Sequence, residues 1–270
     1  MAKLVALVVL LIIGTALGSP QRKPKGVGAA VGLPGFTDPY IIGGDIVQGR
    51  KYPGQISLQV DGDHNCGGSI VNANYILTAA HCSQYEPEEL SVLSGTNNLK
   101  TGGTRHKVTE IHYHEDYNPS DSWHNDVSVM KVDPPFQFDA DGNTAPVTLP
   151  EQDIEPPVGA EVTVIGWGRL SYMGELPDDL YEVSIFIWNH SLCNDAYKPD
   201  GLTVYPEQIC ADTPGGNKGS CNGDSGGPLL MENTVVGLVS WARGCDEKGY
   251  PTVYTRVSAY RDWIDSKVKA

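Results

Sequence analysis

The 270-residue sequence has no surplus of positive charge, no long apolar run after its first segment, no Cys-X-X-Cys pair and no internal repeat. Each absence excludes something. Lys and Arg number 19 against 33 Asp and Glu, a formal net charge of −14. A surface of that sign repels phosphates, which argues against nucleic-acid binding and against docking to anionic membranes. No later apolar stretch approaches the roughly 20 residues that cross a bilayer. Without Cys-X-X-Cys pairs, the 6 Cys lack the usual spacing of a structural zinc site. Helical periodicity is missing everywhere except the last turns, so short strands are expected to build the fold.

What is present begins with the compartment. Met1 to Leu17 carries Lys3, then the apolar run Leu4 to Ile13, then Ala16-Leu17-Gly18. This pattern predicts a secretory signal peptide over residues 1–18, since the run is short for a membrane anchor. An even number of Cys in a chain bound for an oxidising compartment predicts disulfides, although 6 Cys allow fifteen pairings and spacing selects none of them. Residues 19–40 are rich in Gly, Pro and Lys and read as a flexible segment without a core. The first 40 residues hold 4 of the 19 basic residues (Lys3, Arg22, Lys23, Lys25) and 1 of the 33 acidic ones (Asp38), so the remainder carries −17. A secreted, extracellular product with a solvated acidic surface is expected.

From Ile41 onward short apolar runs alternate with turn residues. Gln55–Val60 alternates with period two, and Ser69-Ile70-Val71, Tyr75-Ile76-Leu77, Glu161–Ile165 and Val235–Val239 follow. Frequent Gly, Pro, Asn and Asp between them point to an all-β chain of antiparallel barrels or sandwiches. Pro134-Pro135 and Pro156-Pro157 bracket a crossing point near 135–160. Only the end reads as helix, with Tyr260, Trp263, Ile264 and Val268 on one face behind a Ser258 cap.

Three motifs carry chemistry. Gly223-Asp224-Ser225-Gly226-Gly227-Pro228 sets a serine between glycines, where a sharp turn presents backbone N–H groups beside a hydroxyl. Thr78-Ala79-Ala80-His81-Cys82 lies upstream, and Asn125-Asp126-Val127 lies between. In this order, His81, Asp126 and Ser225 resemble the triad of the chymotrypsin/trypsin-like serine proteases, and the likeness extends over 41–270. The resemblance implies two antiparallel six-stranded β-barrels with a C-terminal α-helix, and an active site in the cleft between them. It implies the disulfides Cys66–Cys82, Cys193–Cys210 and Cys221–Cys245. Ser225 is the implied nucleophile, His81 its base, Asp126 the group that holds the imidazole, and the N–H groups of Gly223 and Ser225 the oxyanion hole. Ser240 matches a position that supports Asp126. Ser240-Trp241-Ala242 matches the strand on which an extended substrate pairs.

The same resemblance implies a precursor. Ile41-Ile42-Gly43-Gly44 looks like the new N-terminus that the family gains when a pro-segment, here 19–40, is removed. The freed Ile41 ammonium would pair with Asp224. Tyr40 departs from the Arg or Lys usual before that bond, so activation calls for a protease that accepts an aromatic residue, or for self-cleavage. The pocket departs as well. Six residues before Ser225 stands Gly219, where trypsin-like members carry Asp. Ser220 and Asn222 belong to the same pocket, Ala242 and Thr252 would narrow it, and Pro251–Tyr260 looks like pancreatic elastases. Cleavage after small to medium apolar residues is the expectation.

Weaker signals remain. His112 and His114 alternate on one strand, an arrangement that could hold a metal but also fits a surface segment. Thr96–His106, where the family's calcium loop would fall, has no carboxylate, so neither calcium nor any other cofactor is expected. Asn189-His190-Ser191 is an N-glycosylation sequon. The sequence therefore predicts a monomeric, digestive-type secreted endopeptidase acting on proteins and peptides and met by protein inhibitors. One rival is chymotrypsin-like cleavage after Tyr, Phe or Leu. The other is a non-catalytic homologue that binds rather than cuts.

Overall fold

The computed structural model describes residues 39–268, apart from 43, 139–141, 171–173, 214, 217, 218 and 246. The expected signal peptide and most of the expected pro-segment lie outside the described residues. Two strands precede the first barrel, β1 (Pro39–Ile42) and β2 (Asp45–Ile46). The barrel consists of β3 (Gln55–Val60), β4 (Asp63–Ile70), β5 (Tyr75–Thr78), β6 (Leu90–Ser94), β7 (Thr104–Tyr113) and β8 (Ser128–Asp133). It closes in the order β3-β4-β5-β8-β7-β6. Ile56, Leu58, Ile70, Ile76, Val92 and Met130 fill it, each fully buried. β-branched and aliphatic side chains of this kind pack well on a pleated, curved surface.

Residues 134–160 then lead to the second barrel, built from β9 (Glu161–Gly166), β10 (Tyr181–Ile187), β11 (Gln208–Asp212), β13 (Pro228–Met231), β14 (Thr234–Trp241) and β15 (Thr252–Arg256). These six form a ring because β10 pairs with both β9 and β11, and β2 adds to the β10 edge. β12 (Gly219–Cys221) stands apart from the ring and pairs with β1. The two six-stranded antiparallel barrels are those the family resemblance implied.

The cores meet. Leu77, Val127 and Val129 of the first barrel pack with Ile165, Leu230, Val235 and Leu238 of the second and with Val257, Tyr260 and Ile264 from the chain end. The C-terminal helix is α2 (Arg261–Lys267), and its apolar face is the expected one. Ser258 does not cap it. That hydroxyl is buried in a preceding 3-10 turn, where it accepts from Arg256 Nη1 at 3.0 Å. A second correction concerns α1 (His190–Tyr197), a helix with no visible period in the sequence. Eight residues are too few for a periodic signal, and α1 is held instead by the Asn189 cap, which accepts from Leu192 N at 3.2 Å, and by Cys193. The three disulfides are Cys66–Cys82, Cys193–Cys210 and Cys221–Cys245. No helix among the described residues is long and apolar enough to cross a membrane.

Candidate active site

The carboxylate of Asp126 is the centre of the site. It lies just before β8 and is 1% exposed. Its Oδ2 is 2.8 Å from His81 Nδ1 and accepts from Ser240 Oγ at 2.6 Å, while Oδ1 accepts from the His81 backbone N–H at 2.9 Å. Thr255 Oγ1 donates to the Asp126 carbonyl at 2.7 Å. An acceptor on Nδ1 fixes the imidazole in the tautomer that leaves Nε2 as its basic nitrogen. His81 is the second residue of the 3-10 turn Ala80–Ser83 after β5 and is tied beneath by Cys66–Cys82.

Ser225 comes to this centre from the second barrel. Its carbonyl accepts from Gly67 N of β4 at 2.8 Å. A Cβ on Gly226 would lie 2.1 Å from Thr78 Oγ1 and 2.9 Å from Ala79 N, so only glycine lets the loop press against the segment leading to His81. No hydrogen bond within the described residues takes up the N–H of Gly223 or of Ser225. Two free N–H groups flanking a serine are what an oxyanion site needs.

Asp224, fully buried, turns the other way. Its Oδ1 accepts from Gly168 N at 2.9 Å and its Oδ2 from Cys221 N at 2.8 Å. Cβ atoms on Gly166 and Gly168 would come within 2.1 and 2.2 Å of the carboxylate, so the Gly166-Trp167-Gly168 run is a cradle for it. Burial pushes the Asp224 carboxyl well above its ordinary range, and the Gly168 N–H opposes this. Tyr40 and Ile41 lie in β1, whose backbone pairs Ile42 with Gly219 and Pro39 with Cys221. The uncut bond therefore runs beside the strand leading to Asp224.

The expected pocket residues lie on β12, β14 and β15 or, for Asn222 and Ala242, directly after β12 and β14. Gly219 is buried, yet a Cβ there would meet no atom within 4 Å, which marks open space in front of it. Beneath lie hydroxyls: Ser220 Oγ is 3.4 Å from Thr252 Oγ1 and 3.1 Å from Tyr254 OH. Burial, with smaller contributions from the carboxylates of Asp212 and Asp224, pushes the Tyr254 phenol up, so the hydroxyls of this floor are uncharged. Ala242 and Trp241 are buried beside it, and Asn222 offers a buried side-chain oxygen with no partner among the described residues. Trp241 stacks on Trp123, with ring centroids 5.7 Å apart, and meets Tyr197 edge-on at 4.7 Å. Trp123 was not singled out from the sequence; an aromatic three residues before Asp126 is the signal that could have found it. The Gly-Trp-Gly cradle was missed as well.

The remaining candidates lie elsewhere. Asn189 is exposed at the start of α1. His112 and His114 have separate partners: His112 Nε2 is 3.4 Å from Glu110, and His114 packs on Tyr260 and Trp263. In the Thr96–His106 loop, Asn98 Oδ1 accepts from the N–H groups of Lys100 and Thr101, both at 3.0 Å.

A family model described as Trypsin matches residues 41–264. The chain is 35% identical over 264 residues to the vitellin-degrading protease of Bombyx mori, covering 97% of this chain and 94% of that one. It is 38% identical over 243 residues to trypsin alpha-4 of Lucilia cuprina, covering 89% and 92% respectively.

Proposed function

The chain belongs to the trypsin family of serine proteases and is a serine endopeptidase, and from that premise we propose a secreted enzyme, made as a zymogen, that cleaves after small to medium apolar residues. Ser225 attacks the peptide carbonyl, His81 takes its proton and passes it to the leaving amine, and Asp126 holds the imidazole. The N–H groups of Gly223 and Ser225 receive the oxyanion. Acyl transfer to Ser225 expels the amine, and water then releases the acid.

The observation that carries the specificity is the neutral floor at Ser220, Thr252 and Tyr254 behind Gly219. None of these floor groups is a carboxylate that would meet an Arg or Lys side chain, and the Thr252 side chain shortens the space for a large ring. A cleavage profile on a peptide library tests this, using protein that begins at Ile41 and a Ser225→Ala control. Cuts after Ala, Val or Leu, absent in the control, are expected. Dominant cleavage after Tyr or Phe would favour the second reading, a chymotrypsin-like pocket, which the open space at Gly219 and the Tyr40 activation bond support.

Residues 1–18 act as the signal peptide and 19–40 as the pro-segment of a monomer that protein inhibitors would block. Cutting at Tyr40–Ile41 frees an ammonium that pairs with Asp224, which lies buried near the strand partner of β1. Asn189 is the proposed glycan acceptor, because its side-chain oxygen serves the helix cap and leaves its amide nitrogen free.

A further inference from the structure

Asn222-Gly223 is the single Asn-Gly pair in the 270 residues, and Gly223 stands two positions before Ser225. Such a pair is prone to cyclise, because glycine has no Cβ to shield its nitrogen from the asparagine side chain. Hydrogen bonds on the side-chain amide and on the glycine N–H ordinarily protect it. Among the described residues, Asn222 Oδ1 is buried without a partner, and nothing takes up the Gly223 N–H. The groups around them are engaged. The Asn222 carbonyl accepts from Arg169 N at 2.9 Å, the Gly223 carbonyl from His64 Nε2 at 2.8 Å, and Asp224 N donates to the Cys221 carbonyl at 2.9 Å. Asn222 as a whole is half-buried, so the loop is open to solvent.

The fold does not allow a shielding residue at 223. The φ of Gly223 is 100°, and a Cβ there would lie 2.9 Å from Leu176 Cδ2 and 3.1 Å from Gly168 Cα. Nor can the N–H be tied up, because an oxyanion site needs it unclaimed. The group that serves catalysis is thus the same one left free to attack its neighbour's side chain.

We propose that Asn222-Gly223 is a self-modification site that limits the working life of the enzyme. The Gly223 nitrogen gives up its proton and bonds to Asn222 Cγ. The Cγ–Nδ2 bond breaks, and Nδ2 leaves as ammonia, taking up a proton in return. Water then opens the cyclic imide at one of its two carbonyls. One opening gives an aspartyl residue, the other an isoaspartyl residue whose main chain is longer by a methylene. Every species on this route damages the oxyanion site. The imide has no N–H at 223, the isoaspartyl form displaces it, and the aspartyl form sets a carboxylate beside the place where negative charge develops. A bound oxyanion takes up the Gly223 N–H, so an occupied enzyme ages more slowly than an idle one. The inference rests on the protease reading above, in which that N–H receives the oxyanion.

The test incubates protein that begins at Ile41 at pH 8 and 37 °C, free and with a peptide boronate, whose adduct with serine is tetrahedral. Beside it stand Ser225→Ala, which cannot digest itself, and Asn222→Gln, whose longer side chain cyclises poorly. The peptide spanning Asn222 is read by mass spectrometry and assayed for isoaspartate, and activity is followed over the same time. Ser225→Ala should convert amide to acid at Asn222, faster at pH 8 than at pH 6, with isoaspartate in excess. In free wild type, activity should fall in step with the intact Asn222 fraction, since loss of one oxyanion donor lowers kcat about 10²–10³-fold in each converted molecule. The boronate should slow conversion several-fold, and Asn222→Gln should hold its own starting activity longer than wild type does. An unchanged Asn222 in Ser225→Ala would overturn the chemistry. Activity lost while Asn222 stays intact in cut chains would assign the loss to self-digestion and overturn the proposed role. Equal conversion with and without boronate would overturn the link to the oxyanion donor. Should Asn222→Gln fail to fold, the wild type with and without boronate decides. A wild type that fails to react with a fluorophosphonate, while Asn222 converts in Ser225→Ala, would instead refute the protease reading itself.

Discussion

Two buried carboxylates, Asp126 and Asp224, lie within reach of the same loop and have opposite surroundings. Asp126 accepts from His81 twice and from Ser240 once. Its amide replacement would present an N–H to His81 and turn the imidazole to the wrong tautomer. Asp126→Asn is thus expected to lower kcat by about 10⁴ while the fold stays intact by circular dichroism. Ser240→Ala removes one bond to a charge and should cost about tenfold in kcat/KM, since such bonds are worth about 1.5–3 kcal/mol. Asp224 is bonded only to amides in the uncut chain, and burial raises its pKa. Below the ordinary Asp pKa of about 3.9 the carboxyl is protonated both folded and unfolded. As pH rises above that, the folded state keeps the proton longer, so folding stability falls. Urea unfolding of uncut Ser225→Ala protein from pH 4 to 8 should show this decline relative to the same protein carrying Asp224→Asn. Parallel curves would mean that the uncut carboxylate is already compensated.

At the scale of elements, the disulfides and the grouping of Asp126 with His81 and Ser240 were legible because each rests on short motifs in a fixed order, read through a family resemblance. The strands were legible only in part. Gln55–Val60 alternates as though one face met water, but Gln55, Ser57 and Gln59 are as buried as Ile56 and Leu58, because neighbouring elements cover both faces. Polar residues on the covered face are there to bond: Ser57 to His64, and Gln59 to Arg105. Local pattern cannot tell such a strand from an exposed one. Helix α1 was missed for a similar reason, since a cap and a disulfide hold it in place of an apolar stripe. Asn189→Ala should remove that cap, at a cost of about 1 kcal/mol, and any glycan together. Ser191→Ala should remove the glycan alone, so the two variants compared by mass and by Tm separate the effects. Just after β14 and at the start of β15, the double variant Ala242→Gly, Thr252→Gly should deepen the proposed pocket. Methylene-scale changes discriminate by about 10- to 200-fold, so the ratio of kcat/KM for Phe over Ala substrates should rise by at least tenfold. An unchanged ratio would mean that the pocket ends elsewhere.

Across the whole molecule, the proposed active site exists only while two barrels stay joined, since His81 and Asp126 come from one and Ser225 from the other. Barrel closure was invisible to local pattern because it depends on distant pairings, β3 with β6 and β10 with β11. The joint is the apolar cluster that includes Leu77, Val127, Leu230, Leu238 and Ile264. Leu77 precedes Thr78, against which Gly226 packs, and Val127 follows Asp126. The same packing therefore supports both halves of the proposed catalytic group. Ile264, on α2, is fully buried in that cluster but distant in sequence from every catalytic residue. Ile264→Ala should cost about 2–5 kcal/mol through lost burial and the cavity left behind. If the joint is the common support, calorimetry of this variant should show one transition, lowered as a unit, with thermal inactivation shifted by the same amount. Activity per titrated site at 25 °C should remain within about twofold of wild type, because the geometry at Asp126 is unchanged while the molecule is folded. Two separated transitions, with activity lost at the first, would instead show that each barrel is stable alone and that the cluster serves docking more than folding.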